Sequence, residues 1–164
     1  AAIIAALAQI VIPIGAVPIT LQTFAVGLVA AILKPREATL AATLYLILGA
    51  IGLPVFAGGG GGLQAFFGPS AGYLLAYPFF ALVTSALAHA KTPIWKIFLA
   101  FVLGDALVFV GGILSLHFLG KMGWSAAVAV GLTPFIIPDL LKGLIVALVT
   151  KPVLKALKNH SYFN

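Results

Sequence analysis

The chain has 164 residues, of which 63% are hydrophobic and only 7% are charged, and its formal net charge is +6. A soluble domain carries about 25% charged residues, and a soluble fold of this length has too small a core to hide so much apolar surface. The composition therefore excludes an ordinary soluble domain and favours one membrane domain over residues 1–164.

Apolar runs separated by Pro, Gly, Lys and Arg predict an all-α integral membrane protein with six transmembrane helices. The approximate segments are 1–12, 21–33, 38–53, 71–90, 94–119 and 138–157. A span needs about 20 apolar residues, so the short second and third segments are expected to tilt less, to thin the bilayer or to extend into their loops. The apolar stretch 124–137 is broken by glycine and proline and is interpreted as an irregular or interfacial piece. Pro138 suits the first turn of the last helix.

The basic residues orient these segments, because Lys and Arg are enriched in cytoplasmic loops and such clusters are not a nucleic-acid-binding face. With six spans, three clusters fall on one side and only Lys121 falls on the other, which predicts cytoplasmic N- and C-termini. No basic residues of a signal peptide precede the first segment, and we expect it to begin upstream of Ala1. The clusters are Lys34 with Arg36, Lys91 with Lys96, and Lys151 with Lys155 and Lys158.

Three outer connections, 13–22, 56–73 and 121–139, are rich in Gly or Pro and poor in charge. Irregular apolar backbone at membrane depth is expected where it lines or caps a cavity, so we predict a lidded ligand pocket near the extracellular face. The glycine run 58–62 matches neither a phosphate loop nor a dinucleotide fingerprint. It is interpreted as a flexible linker or lid, or as bare backbone that approaches a ligand, and both can hold.

Asp139 and Lys142 give the strongest local signal for a site. They lie three residues apart on one helix face, and ionisable residues inside a membrane face a cavity or each other. The pair is either an internal ion pair or a ligand site in which Asp139 accepts hydrogen bonds and Lys142 donates them or binds an anion. Asp105, near mid-bilayer, is a candidate pocket floor, partner of Lys142 or proton site, with a structural pairing favoured.

Four uncharged polar residues beside the outer loops extend the candidate ligand site. Each alone is more often structural, but together they surround one face of the molecule. They are Gln22, Gln64, Ser70 and Tyr73. The sequence has no cysteine, no His-Glu metal helix motif, no nucleophile–base motif and no nucleotide-binding loop. We therefore predict no enzyme activity, no metal and no cofactor, and any ATP-driven step needs a separate subunit.

Small residues recur along the first segment, in one register at Ala1 and Ala5 and in another at Ala2 and Ala6. Such stripes let helix backbones approach closely in lipid. Packing inside the protein and a surface for a protein partner both remain open on this pattern.

In their order and spacing, these motifs resemble the BioY family, the biotin-specific substrate-binding (S) component of energy-coupling factor (ECF) transporters. The resemblance covers nearly the whole chain. It lies in 12–14 with 18–23 (IPI and PITLQT), 49–57 (GAIGLPVFA) with the glycine run, 67–73 (FGPSAGY), 104–105 (GD) and 134–142 (PF…PDLLK).

The resemblance implies a multi-pass protein of the cell membrane that binds extracellular biotin as a transported ligand. The family's Asp-x-x-Lys pair carries onto Asp139 and Lys142, within the biotin site. The family's alanine motif on helix one couples to the transmembrane T component, and it carries onto the alanine stripe in either register. The implied partners are biotin, that T component, two ATPase subunits and the lipid bilayer.

Biotin also fits the chemistry of the candidate residues. Its compact fused rings suit aromatic neighbours at Phe56, Phe66, Phe67 and Tyr73. A carboxylate such as Asp139 can accept from the ureido N–H groups, and the valerate carboxylate suits Lys142 or the glycine backbone. The alternatives are the same architecture for thiamine or riboflavin, a membrane enzyme using Asp105 or Asp139 with Lys142, and a scaffold without a ligand.

Overall fold

A computed structural model of the chain describes residues 1–15, 17–89 and 91–163, and these residues are mostly helical. They form seven α-helices, one two-stranded hairpin and several short 3-10 turns. The elements are α1 (Ala2–Leu7), β1 (Val11–Ile12), β2 (Ile19–Thr20), α2 (Gln22–Ile32), α3 (Pro35–Ala50), α4 (Ala71–Leu87), α5 (Ile94–Phe118), α6 (Trp124–Gly131) and α7 (Ile136–Ala156). Ala16 in the connection 13–22, Ala90 at the predicted end of the fourth segment, and Asn164 lie outside the described residues.

The first predicted segment is helical only as far as Leu7. The helix expected over 8–12 is wrong, because Val11 and Ile12 form a strand that pairs antiparallel with Ile19–Thr20. These residues are β-branched, which favours strands, and Pro13 disfavours helical backbone at the residue before it. The hairpin brings 17–23 back beside the start of α2.

Helix α3 begins at Pro35, earlier than the sequence predicts. Proline at the first helical position lacks an N–H that would have no partner there, and Glu37 adds a favourable negative charge in the first turn. The helix ends at Ala50, and Gly52 then adopts a φ of 105°, which favours glycine. The interfacial stretch predicted at 124–137 contains the short helix α6 and a 3-10 turn, Thr133–Phe135.

Two long stretches of the described residues, Ile94–Phe118 and Trp124–Ala156, are long and apolar enough to cross a membrane by length and composition. Helices α2 and α4 are shorter and also apolar. Large apolar side chains remain exposed on these helices, among them Phe79, Phe118 and Leu141. A soluble protein rarely leaves so much apolar surface uncovered, and lipid is the environment that accommodates it.

The protein interior lies where α4 and α5 pack against each other and against α2, α3 and α7. Glycines permit this close packing: a Cβ at Gly72 would overlap the backbone carbonyl of Gly111 on the facing helix. Phe80 and Phe101 meet edge to face at 5.2 Å between ring centroids near the centre. The interior is therefore closely packed between α4 and α5, and a cavity remains beside residues 17–23 and the connection 56–73.

Candidate functional site

A cavity of about 320 Å³ opens among α2, α4, α5, α7 and the glycine-rich connection. It collects residues that lie far apart in the sequence. The sequence-predicted residues in its lining are Gln22, Phe56, Gln64, Ser70, Tyr73, Asp139 and Lys142. This volume is at the small end of the range of about 300–1,000 Å³ that small-molecule sites occupy.

Asp139 and Lys142 form a buried ion pair that also faces the cavity. Lys142 Nζ lies 2.5 Å from Asp139 Oδ1, and the two residues are only 7% and 4% exposed. Thr23 on α2 completes the cluster: its hydroxyl accepts from Lys142 Nζ at 3.0 Å and donates to Asp139 Oδ1 at 3.3 Å. Lys142 also donates to the Thr20 carbonyl at 2.8 Å. The Asp139–Lys142 pair is therefore both an internal ion pair and part of the cavity wall.

The amide of Gln22 is held from two sides at the cavity wall. Its Nε2 donates to the Tyr45 hydroxyl at 2.7 Å, and its Oε1 accepts from the Thr20 hydroxyl at 3.0 Å. Two partners at these distances fix which end of the amide points in which direction. The wall at Gln22 is therefore polar and preorganised.

Tyr73 offers its ring, and not its hydroxyl, to the cavity. The hydroxyl donates to the Gly131 carbonyl at 2.7 Å in a buried contact. A Cβ at Gly112 would overlap the Tyr73 ring, so the glycine makes room for it. Tyr73 therefore supplies an apolar wall at this site, which agrees with its predicted place among the aromatic residues, and its hydroxyl is not free for a ligand.

The glycine run is folded against the protein and contributes bare backbone to the site. Gly60 accepts a hydrogen bond from the Phe56 N–H at 2.9 Å, and Gly62 donates to the Gly49 carbonyl at 2.6 Å. A Cβ at Gly61 would overlap the Leu53 carbonyl, and both Gly60 and Gly61 line the cavity. Gly60 and Gly61 thus place bare backbone in the cavity wall, and its approach to a ligand stays a prediction. Gly58, Gly59 and Gly62 have positive φ, which favours glycine.

Phe56 forms part of an aromatic wall, and other predicted aromatics lie behind or away from it. Phe56 meets Tyr45 and Phe66 edge to face at 5.5 and 5.7 Å between ring centroids. Phe66 is outside the lining and supports Phe56. Phe67 is 75% exposed and does not line the cavity. The two polar residues of this connection, Gln64 and Ser70, are both exposed at the rim of the cavity. The Gln64 Nε2 donates to the Gly61 carbonyl at 2.8 Å.

Asp105 lies behind the cavity and is not part of its lining. It is 4% exposed, and its Oδ1 has no hydrogen-bond partner among the described residues. Among the described residues, Lys142 forms its salt bridge with Asp139, and Asp105 forms no salt bridge. Across residues 1–15, 17–89 and 91–163, no three His, Asp or Glu side chains are grouped so as to hold a metal ion.

Sequence reasoning missed several residues that line the cavity. They are Val17, Pro18, Thr20, Thr23, Ala57, Ala65, Leu74, Tyr77, Val108, Phe109 and Phe135. One had a readable signal: Tyr77 follows Tyr73 by four residues, which places both on one helix face. The Phe135 ring packs against the Tyr73 ring at 6.3 Å between centroids. No sequence pattern predicts this contact.

The two alanine registers of the first segment lie on different faces of α1. Ala1 and Ala5 are half-buried and pack against the core. Ala2 and Ala6 are exposed. The second register is therefore the one available at the surface.

Comparisons with known proteins agree with this arrangement. The BioY family model matches residues 1–159. The chain is 43% identical to "Biotin transporter BioY2" of Lactococcus lactis subsp. cremoris, over 99% of this chain and 91% of the relative. It is 39% identical to "Biotin transporter BioY" of Thermotoga maritima, over 87% and 83%. A crystal structure of the S-component for biotin from an ECF-type ABC transporter superposes with a TM-score of 0.87 at 28% identity, covering 99% of this chain and 90% of that one. The chain, a multi-pass membrane protein, belongs to the BioY family.

Proposed function

We propose that this chain is the biotin-binding membrane subunit of an ECF-type ABC transporter, which captures extracellular biotin for ATP-driven uptake by partner subunits. The observation that carries the proposal is the position of the Asp139–Lys142 pair in the wall of a cavity of suitable size, in a chain of the BioY family. This function is transport and not enzyme catalysis, and biotin is the ligand, not a cofactor.

Biotin binds through complementary polar and apolar groups of the cavity. Asp139 accepts a hydrogen bond from a ureido N–H, and the ureido oxygen accepts from a nearby donor such as the Gln22 amide. Phe56, Tyr73 and Phe135 lie around the fused rings. Lys142 or the backbone N–H groups of the glycine run bind the valerate carboxylate.

The cavity faces the outside of the cell, and the segment 56–70 is its lid. Both termini are cytoplasmic in this orientation. The basic clusters around Lys34, Lys91 and Lys155 then lie on the cytoplasmic side, where Lys and Arg are enriched. Two backbone hydrogen bonds tie the glycine run to the end of α1 and to α3, from the Gly58 N–H to the Ala8 carbonyl at 3.3 Å and from the Gly62 N–H to the Gly49 carbonyl at 2.6 Å. These bonds would have to break for the segment to open and admit ligand. Gln64 and Ser70 lie at the rim of the entrance.

The partners are a transmembrane T component and two ATPase subunits. The exposed register of α1, Ala2 with Ala6, provides the contact for the T component, because small side chains allow two helices to approach closely in lipid. This surface is rotated by about 100° around α1 from the half-buried Ala1 and Ala5, because the two registers differ by one residue.

Isothermal titration calorimetry of the detergent-purified chain with biotin, thiamine and riboflavin tests this function. Trp95 and Trp124 lie outside the cavity lining, so tryptophan fluorescence is the weaker readout. Saturable binding of biotin alone supports the proposal. Saturable binding of thiamine or riboflavin instead of biotin would assign the same fold to another vitamin. Asp139→Asn serves as the matched control for binding at this cavity.

A further inference from the structure

Asp105 stands out because it is a carboxyl group buried in a membrane helix without a cationic partner in direct contact. It is 4% exposed and its Oδ1 makes no hydrogen bond to any described residue. Asp105 lies on α5, which packs against the α7 helix that carries Asp139 and Lys142, and its carboxyl group interacts with the Asp139 carboxyl and the Lys142 ammonium group.

A hydrogen bond between two carboxyl groups requires a proton. An ionised Asp only accepts hydrogen bonds, whereas a protonated Asp has one O–H to donate. Two ionised carboxylates in contact repel each other, and adjacent buried carboxyls therefore share one proton. The hydrogen bonds from Lys142 and Thr23 are both accepted by Asp139 Oδ1, which leaves Oδ2 as the oxygen that neither of them occupies.

The net charge of the cluster leads to the same conclusion. With Asp105, Asp139 and Lys142 all ionised, a buried site inside the membrane would carry one uncompensated negative charge, which is costly. One proton on the two carboxyl groups makes the cluster neutral. In the described part of the chain, α4 faces the two carboxyl groups with the uncharged phenols of Tyr73 and Tyr77, and α2 faces them with the uncharged Thr23.

We propose that Asp105 is a positioning residue of the biotin site, and that it holds a proton shared with Asp139. The protonated Asp105 donates to Asp139, so that the Asp139 carboxylate keeps its single charge, its bond to Lys142 and its orientation toward the cavity. This inference rests on the proposed function for its effect on biotin, but the shared proton itself does not depend on any ligand.

Infrared spectroscopy of the ligand-free protein tests the shared proton directly. The chain contains only three Asp and Glu residues, so a carboxylic acid C=O absorption at neutral pH has few possible sources. In a maltoside detergent, which has no carbonyl group, the parent protein is expected to show this absorption. Asp105→Asn should remove it and the matched control Glu37→Gln should retain it. A parent spectrum without the absorption, or one that loses it in Glu37→Gln, overturns the proposal.

Calorimetry with biotin over a range from neutral to alkaline pH tests the positioning role. The parent should lose affinity once the pH is high enough to remove the shared proton. Asp105→Asn keeps a donor that cannot be deprotonated, so it should bind a few-fold more weakly at neutral pH without the alkaline loss. Asp105→Leu has no donor and should bind about tenfold more weakly than the parent. Equal affinities for the Asn and Leu variants, or parallel pH profiles for parent and Asp105→Asn, overturn the role.

These outcomes separate the inference from the proposed function. If the parent binds no biotin, the proposed function fails while the infrared result still decides the shared proton. If both Asp105 variants fail to fold, the parent and Glu37→Gln spectra decide it without them.

Discussion

Gln22 on α2 donates a hydrogen bond from Nε2 to the Tyr45 hydroxyl on α3 at 2.7 Å, and both side chains are buried. The same Tyr45 ring meets Phe56 edge to face at 5.5 Å. One polar and one aromatic contact therefore link two helices to the segment that carries the glycine run. The preorganisation of one cavity wall depends on this link.

Tyr45→Phe should destabilise the protein and weaken biotin binding modestly. The substitution keeps the ring contact with Phe56 but leaves the buried Gln22 amide without an acceptor, which costs about 1–3 kcal/mol. Thermal unfolding in detergent and a biotin titration on the same sample measure both effects. Phe66→Leu is the control, because it alters the aromatic support of Phe56 without touching Gln22. An unchanged melting temperature in Tyr45→Phe would contradict this account of the wall.

Asp139→Asn should weaken biotin binding by more than about tenfold, or about 1.4 kcal/mol. The amide presents a donor where a ureido N–H needs an acceptor, and it removes the charge that pairs with Lys142. Lys142→Met should also weaken binding. Calorimetry on the two single variants and the double variant measures the coupling, and the effects should be non-additive because the side chains are in contact at 2.5 Å. Unchanged isotherms for both folded single variants would make the pair purely structural.

Thr23→Val should lower affinity as well, by a smaller factor. The hydroxyl bridges Lys142 and Asp139, and valine keeps the branched shape while removing that bridge. A loss of about threefold to tenfold in biotin affinity is expected, or roughly 1 kcal/mol. This is less than the roughly 1.5–3 kcal/mol of a hydrogen bond to a charged group, because Lys142 and Asp139 keep their direct contact without the hydroxyl. Thr43→Val on α3 is the matched control, since the Thr43 hydroxyl only bonds its own helix at the Thr39 carbonyl. Equal affinities for Thr23→Val and Thr43→Val would remove Thr23 from the site.

Cysteine labelling in cells or oriented vesicles should establish the orientation in the membrane. The chain has no native cysteine, so single substitutions at Lys34, Lys91 and Lys121 have no background. Lys34→Cys and Lys91→Cys should react with an impermeant reagent only from the cytoplasmic side, and Lys121→Cys only from outside. Labelling of Lys34→Cys and Lys121→Cys from the same side would exclude the six-span orientation.

The candidate site could be read from the sequence where chemistry leaves few choices. Asp139 and Lys142 were recognisable because ionisable residues in an apolar run must face each other or a cavity. Thr23 was not, because threonine is common in apolar helices and its partner Asp139 lies 116 residues away along the chain. Phe66 and Phe67 are neighbours in one aromatic-rich loop, and the sequence does not say that the first supports the cavity wall while the second is exposed.

The fold shows the same division between strong and weak sequence signals. Helix α5 was predicted to within a residue at its C-terminal end, because a long apolar run between Pro93 and Gly120 has only one regular solution in lipid. The hairpin of β1 and β2 was missed because each strand has two residues, too few for a period-2 pattern. The strands form there because Val11–Ile12 pairs with Ile19–Thr20 across a turn. The composition of either short segment alone does not predict this pairing.

Coupling to the T component should depend on the exposed alanine register of α1 and be separable from ligand binding. Ala6→Trp places a bulky side chain on the exposed face and should hold the partner helix away, since close backbone approach is what stabilises helix pairs in lipid. The ligand cavity involves no residue of α1, so biotin affinity in the isolated subunit should stay within about twofold of the parent. Co-purification with the T component and a biotin titration on the same variant measure the two properties.

Two comparison variants make this coupling prediction specific to one face of one helix. Ala5→Trp lies in the half-buried register, where the added volume overpacks the core, so it should lower the melting temperature. Val110→Trp adds the same bulk at an exposed position of α5, a helix distant from α1 in the packing, and should still assemble. If Ala6→Trp assembles and supports ATP-driven uptake as well as Val110→Trp does, the exposed stripe is ordinary alanine-rich helix surface. If Ala6→Trp instead loses biotin binding, α1 supports the fold of the cavity, and coupling and binding are not separable at this helix.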